Sequence, residues 1–429
     1  MGAATTRFLP PFGDCPAETV GSAGWWRRTA RRGTPRMTDD GEGSVRLDFL
    51  WRDPAGDERT SSVRRVYLDV ASVTDHSGPA PFSLERLPRT DVWFGSLRVE
   101  ADWRGSYCFI PTGGDNPPPD CSDPAARRNW WRKIIDHAEA DPLNHHPSHP
   151  SLTGYPRSPI HLPRSPSQAA WREVDSGRAV TPTAARLRRI TWNSARLGNR
   201  RRVWIFAPDG GGRFPENRPL VVLLDGGYWA EAMPVFSALG HATRTGEVPS
   251  CVYVLVDALD RRTRVRELPC NPLFWDALDK ELLPSVAGLA AFSADRRRAA
   301  VAGQSFGGLA ALFAALHRPE RFGRVLCQSG SLWWPHLHEA RVPDWLSTLL
   351  SHPAASSARL DVLLEAGSRE RVIGPASRRA AQVLSQAGHR VRLRSFSGGH
   401  DPICWRGGLV EGLAVLLSAG RPHTQETKA

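Results

Sequence analysis

A serine hydroxyl is a weak nucleophile at neutral pH unless a base takes its proton and an acid holds that base in place. The run Gly303-Gln304-Ser305-Phe306-Gly307-Gly308 places a serine between glycines, directly after the strand-like Ala299-Ala300-Val301-Ala302 and directly before the helix-like stretch from Leu309 to His317. A GxSxG pattern alone is weak, because a chain rich in glycine and serine carries it by chance. Strand, GxSxG and helix in that order describe a nucleophile elbow, where the serine sits on a tight turn and the glycines let strand and helix close up without a Cβ clash. Ser305 is the expected nucleophile of an acyl-transfer reaction.

In such folds the partners follow in the order serine, acid, histidine. His400 stands just past the strand-like Val391-Arg392-Leu393-Arg394-Ser395-Phe396, in Ser397-Gly398-Gly399-His400-Asp401, and is the expected base; His389 and His423 read as surface residues. The stretch from Leu360 to Glu370 offers two acids. The loop beyond the strand favours Glu370, while Glu365, at the strand end, suits a buried carboxylate paired to an arginine. Asp401 adjoins the histidine it would have to orient. A developing oxyanion needs donors, and the amide of Phe306 is one. The other is expected from Asp225-Gly226-Gly227-Tyr228-Trp229, which follows the apolar Leu220 to Leu224, through the amide of Gly227 or Tyr228.

These residues need a scaffold that brings four loops to one edge. Apolar runs at Arg202 to Ala207, Leu220 to Asp225, Val252 to Ala258, Ala299 to Ser305, Arg324 to Gln328, Leu360 to Glu365 and Val391 to Ser395 alternate with amphipathic segments such as Asn271 to Leu289, Phe306 to His317 and Ala376 to Ala387. That alternation predicts an α/β fold with a mainly parallel sheet and helices on both faces, an α/β-hydrolase domain over 185–422. Shorter alternating runs between 44 and 112, separated by Gly, Pro and Asp, predict a small antiparallel β-sandwich-like domain over 37–165. The Pro- and Ser-rich 142–167 reads as an extended connection, with the linker proper at 166–184. Residues 1–36 read as a disordered extension ahead of a natural start at Met37, and 423–429 as a tail.

Composition narrows the classes. Lys and Arg exceed Asp and Glu by 56 to 44, and only Lys133, Lys280 and Lys428 are lysines. An arginine skew without runs of like charge, and without a nucleic-acid-binding motif, gives no nucleic-acid partner and leaves an anionic small molecule as the expected one. No apolar run is long enough to span a bilayer and no secretory leader is visible, so the expected location is the cytoplasm, with no membrane partner. Seven scattered cysteines without a CxxC spacing read as reduced thiols, not as a disulfide framework or a zinc site. His145, His146 and His149 fall in the Pro-rich connection and read as solvated, so no metal site is expected.

Beyond these patterns the chain resembles the enterochelin (ferric enterobactin) esterases, siderophore hydrolases of the esterase-D-like α/β-hydrolase superfamily. The likeness rests on the stretch from Val301 to Trp334, on Leu223-Leu224-Asp225-Gly226 with Trp229, on the stretch from Arg264 to Asn271 with Phe274-Trp275, and on Gly398-Gly399-His400-Asp401 with Cys404-Trp405-Arg406-Gly407-Gly408. It extends to Phe49-Leu50-Trp51-Arg52, the stretch from Asp102 to Pro111 and Asp141-Pro142-Leu143-Asn144 in the first domain, motifs that general hydrolases lack.

The resemblance implies hydrolysis of the ester bonds of a cyclic tri-lactone of acylated serines carrying three catechols, bound as its iron complex. It matches Ser305, His400 and Glu370 to the catalytic positions and Arg264 to the active-site loop. A ferric tris-catecholate is a bulky trianion with aromatic faces, so Arg264, Tyr228, Trp229, Trp333 and Trp334 are the expected substrate contacts. The iron arrives within the substrate and no cofactor is expected. The alternatives are a general carboxylesterase or acyltransferase of the same superfamily and a non-catalytic siderophore-binding protein; oligomeric state is not legible.

Overall fold

The computed structural model describes residues 20–74, 81–114, 117–120, 123–179, 181–210, 215–336, 344–352 and 358–418. The tail from 423, His423 and residues 1–19 lie outside the described residues. The chain divides into two compact units, Met1–Pro166 and Ser167–Ala429.

In the first unit, strands β1 (Arg36–Asp39), β2 (Ser44–Arg52), β3 (Arg65–Val70), β4 (Ser83–Arg86), β5 (Val92–Glu100), β6 (Arg104–Thr112), β7 (His149–Pro150) and β8 (Pro156–His161) join edge to edge in the order β1-β2-β5-β4-β3-β6-β8-β7. Every pairing is antiparallel. The eight strands form one connected ladder, and β2 and β6, four places apart in it, bring Phe49 and Tyr107 to 5.0 Å between ring centroids. Its core is the inward set Leu47, Phe49, Trp51, Val66, Leu68, Trp93, Trp103, Tyr107 and Phe109.

Two readings of this region are corrected. Residues 20–36 are not a loose extension: Ser22 caps the helix Ala23–Arg32, Trp25 and Trp26 are buried, and the Trp26 indole donates to Asp91 Oδ1 at 2.9 Å. The segment's many arginines occupy the exposed face of an amphipathic helix, which hid its apolar stripe. Nor is 142–167 a free connection, since it supplies β7 and β8. There Arg157 pairs with Asp69 at 2.7 Å in the interior, and His149, expected in solvent, is buried.

In the second unit, β9 (Leu187–Ser194), β10 (Asn199–Phe206), β11 (Leu220–Leu223), β12 (Val252–Val256), β13 (Ala299–Gln304), β14 (Arg324–Gln328), β15 (Asp361–Gly367) and β16 (Arg390–Phe396) form a sheet in the order β16-β15-β14-β13-β11-β12-β10-β9. From β12 through β11 to β16 all neighbours are parallel, and β9 and β10 are antiparallel at one edge. The chain runs from β11 to β12 on one side and then crosses to β13 on the other. This order opens a crevice at the carboxyl ends of β11 and β13, the usual place for a ligand in an open α/β sheet.

The helix Phe306–His317 is buried nearly all round, which suits its Gly and Ala content. The expected helix from Asn271 to Leu289 is two helices, Pro272–Ala277 and Leu283–Leu289, joined through one wide π turn at Leu278–Leu282. Pro284 lacks the N–H an uninterrupted α-helix would need there. The expected linker 166–184 is also corrected: Ala169–Trp171 and Arg172–Asp175 are helical and Trp171 is fully buried in this unit. Among the described residues no helix is long and apolar enough to cross a membrane.

Candidate active site

Four loops meet the crevice from the carboxyl ends of β11, β13, β15 and β16. At the Gln304 end of β13 the backbone turns through Ser305 with φ 58° and ψ −122°, a region costing a non-glycine residue about 1–3 kcal/mol. The turn is fixed on both sides: the Ser305 amide donates to Gln328 O at 3.1 Å, and its carbonyl accepts from Ser331 and Leu309. A Cβ on Gly303 would lie 2.3 Å from the Gly307 carbonyl oxygen, so glycine is obligatory where strand and helix close up. Both features belong to a nucleophile elbow.

Beyond β15, Glu370 is buried and its two oxygens are divided. Oε2 accepts from the Gly367 amide at 2.7 Å and from Ser329 Oγ at 2.8 Å, while Oε1 lies 2.7 Å from His400 Nδ1. A carboxylate accepts, so in a neutral imidazole facing it the proton belongs on Nδ1 and the lone pair on Nε2. Glu365 lies elsewhere: it is 1% exposed, paired to Arg394, and accepts from Gln328 Nε2 at 2.6 Å. Burial pulls the Arg394 guanidinium down, but the carboxylates of Glu365 and Glu411 outweigh it and hold it above its ordinary value.

The loop after β11 turns at Asp225, with φ 55°. A Cβ on Gly226 would lie 2.5 Å from the β12 backbone, so the loop can lie this close only as glycine. The Tyr228 amide donates to Asp225 O at 3.0 Å and is committed; among the described residues the Gly227 and Phe306 amides have no backbone acceptor. Of the two amides the sequence left open, Gly227 is the one available to an oxyanion.

The expected substrate contacts divide. Trp229 is buried core, its indole donating to Gln304 Oε1 at 2.9 Å, and cannot meet a ligand. Arg264 is engaged with Asp225 through Nε and Nη2, and Nη2 also reaches Gln304 O at 3.3 Å. Its charge is used inside the protein. Tyr228, Trp333 and Trp334 are half-buried, with the Trp333 ring 6.2 Å from that of Phe306 beside the elbow.

The sequence reading missed the polar strand ends beneath the site. Trp229, Gln304, Gln328 and Glu365 form one buried hydrogen-bonded row, with Gln304 Nε2 donating to Gln328 Oε1 at 2.8 Å. The signal was there: a glutamine closing each of two apolar strands must find partners when buried. Ser329 was also passed over, and it too has a positive φ, 46°. Burial pushes the thiols of Cys108, Cys251 and Cys327 up to about 12, so these cysteines are inert at neutral pH. Among the described residues no group of three or more His, Cys, Asp or Glu could hold a metal ion.

Sheet order, elbow and an acid-held histidine define the class of α/β-hydrolase esterases. The enterochelin esterase N-terminal family model matches residues 46–171, and an esterase family model matches 194–416. Over 417 residues the chain is 46% identical to the iron(III) enterobactin esterase of Dickeya dadantii, covering 94% of this chain and 95% of that one. The crystal structure of the ferric enterobactin esterase from Salmonella typhimurium superposes with a TM-score of 0.83 at 43% identity, covering 92% of this chain and 98% of that one. That of the Shigella flexneri enterobactin esterase in the presence of enterobactin does so at 0.80 and 42%, with the same coverage. The chain belongs to the iron(III) enterobactin (enterochelin) esterase family and is an ester hydrolase.

Proposed function

We propose that the protein hydrolyses the lactone ester bonds of a ferric catecholate siderophore of the enterobactin type, with Ser305 as nucleophile, His400 as general base and Glu370 as the acid that orients it. The observation that carries this reading is the 2.7 Å contact between Glu370 Oε1 and His400 Nδ1, which leaves the Nε2 lone pair as the base. In the reaction Nε2 takes the Ser305 hydroxyl proton as Oγ adds to the ester carbonyl. The amides of Phe306 and Gly227 receive the negative charge of the tetrahedral intermediate, each such donor being worth roughly 2.7–4 kcal/mol. Collapse breaks the acyl–oxygen bond, and the imidazolium returns its proton to the departing serine hydroxyl of the substrate. Water then repeats the sequence on the acyl-enzyme.

The substrate follows from the relatives' named activity, and the half-buried aromatic rings of Phe306, Trp333 and Tyr228 suit its catechol faces. The iron enters chelated by the substrate, no protein ligand or resident cofactor takes part, and the reaction belongs in the cytoplasm. Opening the macrocycle weakens chelation and eases release of the metal.

The test is incubation with iron-loaded enterobactin and mass spectrometry of the linear trimer, dimer and monomer, beside Ser305→Ala. The expected result is turnover by the wild type, and binding without turnover by the variant. Cleavage of simple aryl esters with none of the lactone would mark a general carboxylesterase, and binding without turnover in the unaltered protein a siderophore carrier.

A further inference from the structure

We infer that Trp405 and Ser329 are positioning residues that hold both the acid and the base of the site; the inference rests on the assignment of Glu370 and His400 proposed above. Both side chains are buried, Ser329 at 0% exposure, and neither can reach a substrate.

The order of the contacts is set by chemistry. An indole N–H only donates, so the 2.8 Å contact from Trp405 Nε1 to Ser329 Oγ makes the hydroxyl its acceptor. The single hydroxyl proton then goes the other way, to Glu370 Oε2 at 2.8 Å. With the Gly367 amide on the same oxygen, Oε2 receives two donors. That pins the carboxylate in one rotamer and leaves Oε1 for the imidazole.

The same tryptophan also borders the base. Its ring stands perpendicular to that of His400, with centroids 4.7 Å apart, which limits rotation of the imidazole about its own axis. Trp405 is in turn anchored at both ends. Its carbonyl accepts from Gln328 Nε2 at 2.9 Å, and it lies in the first turn of the helix Pro402–Leu417, whose cap is Asp401, the residue after His400. One buried side chain therefore fixes the carboxylate through a hydroxyl relay and borders the imidazole through a perpendicular ring contact. A misplacement of about 1 Å in such a pair can cost on the order of 100-fold.

The experiment measures 4-nitrophenyl acetate hydrolysis, and labelling of Ser305 by a fluorophosphonate, in the wild type, Ser305→Ala, Trp405→Phe, Ser329→Ala and the Trp405→Phe/Ser329→Ala double variant. Trp405→Phe keeps an aromatic ring at that buried position and removes the N–H together with part of the ring volume, whereas Ser329→Ala removes the relay hydroxyl with almost no change of volume. Replacing a triad acid costs up to about four orders of magnitude, so residues that hold it are expected to cost less, roughly 10- to 100-fold in kcat. KM should stay within about twofold and labelling should slow in parallel with kcat. Because the two side chains act in series, the double variant should be no worse than the poorer single variant, a non-additivity that general loosening of the core does not give.

Wild-type kcat in folded Trp405→Phe and Ser329→Ala, or losses that multiply in the double variant, would overturn the inference while leaving the triad standing. A Trp405→Phe protein that fails to fold leaves the nearly isosteric Ser329→Ala to decide by the same kcat and KM criteria. An active Ser305→Ala, or a wild type that neither cleaves nor labels, would instead overturn the assignment of the nucleophile and the inference with it.

Discussion

Arg264 grips Asp225 at two points, Nε to Oδ1 at 2.6 Å and Nη2 to Oδ2 at 2.8 Å. Asp225 opens the loop that carries the Gly227 amide, and Arg264 Nη2 also reaches the carbonyl of Gln304, the residue before Ser305. Its guanidinium carbon lies 5.9 Å from the centre of the Phe306 ring. One side chain thus ties together the two backbone segments proposed to supply the oxyanion donors. Burial works against the charge, but the Asp225 carboxylate more than offsets it and holds the guanidinium above its ordinary value.

Removing that brace should damage stability and chemistry together. Arg264→Ala leaves the nearly buried Asp225 carboxylate unpaired, and breaking a buried pair from one side costs about 3 to 5 kcal/mol. Arg264→Lys restores the charge but not the two-point grip, so it should recover most of the melting temperature and little of kcat. Thermal denaturation and aryl ester kinetics on the two variants check this; equal recovery of both quantities in the lysine variant would reduce Arg264 to a simple counter-ion.

The two glutamates at β15 should separate cleanly. Glu370→Gln keeps the shape but cannot accept from His400 as an anion, and kcat should fall by up to about four orders of magnitude in a folded protein. Glu365→Gln leaves Arg394 short of its buried partner, so it should lower the melting temperature while kcat per folded molecule changes little. The reverse pattern would exchange their roles.

What the sequence made legible follows from what repeats along it. All seven apolar runs of the second unit became strands β10 to β16, because a strand covered on both faces is continuously apolar. Strand β9 was not visible, since at the sheet edge Arg188 and Arg189 face solvent and break the run. Strand β8 hid behind Pro156 and Pro159; among the described residues its outer neighbour is the two-residue β7, so for most of its length it needs no donor on that side. Within the site, residue type and chain order pointed to Ser305, His400 and one of two glutamates, of which Glu370 is the one in contact with His400. They could not tell which polar groups are spent inside: Trp229 and Arg264 have the right chemistry for a ligand, and tertiary contacts have already used it.

His389, expected on the surface, is buried, and its Nδ1 accepts from the Leu360 amide at the start of β15. That bond needs an unprotonated nitrogen. Burial, with a smaller contribution from Arg296, holds the imidazole below its ordinary value of 6.5. The unfolded chain therefore binds this proton more readily than the folded one, so stability from His389 is complete above about pH 6.5 and is lost as pH falls through the lower folded value. His389→Asn, whose Oδ1 can accept the same amide without titrating, should flatten the acid side of the melting-temperature profile. A variant with the wild-type slope would place the acid sensitivity elsewhere.

The point at which the second unit can be cut follows from Arg406. Its side chain is almost fully buried in the helix Pro402–Leu417, donating from Nε to Gln168 Oε1 at 2.7 Å and from Nη2 to Asp175, with Trp171 beneath it at 5.3 Å. The Trp171 indole in turn donates to the Arg406 carbonyl at 2.9 Å. Burial holds this guanidinium below its ordinary value even with Asp175 opposing, so the site tolerates the charge only while its partners are present. A chain beginning at Ser167 keeps Gln168, Trp171 and Asp175. One beginning at Pro182, within the 166–184 stretch that reads as a linker from composition, strips them all and leaves an unpaired buried charge one residue from Trp405, a cost of about 3 to 5 kcal/mol. The Ser167 chain should melt cooperatively and cleave 4-nitrophenyl acetate; the Pro182 chain should be largely unfolded, and adding Arg406→Met to it should restore part of the lost stability. Equal melting temperatures for the two chains would show that 167–181 is the free linker its sequence resembles.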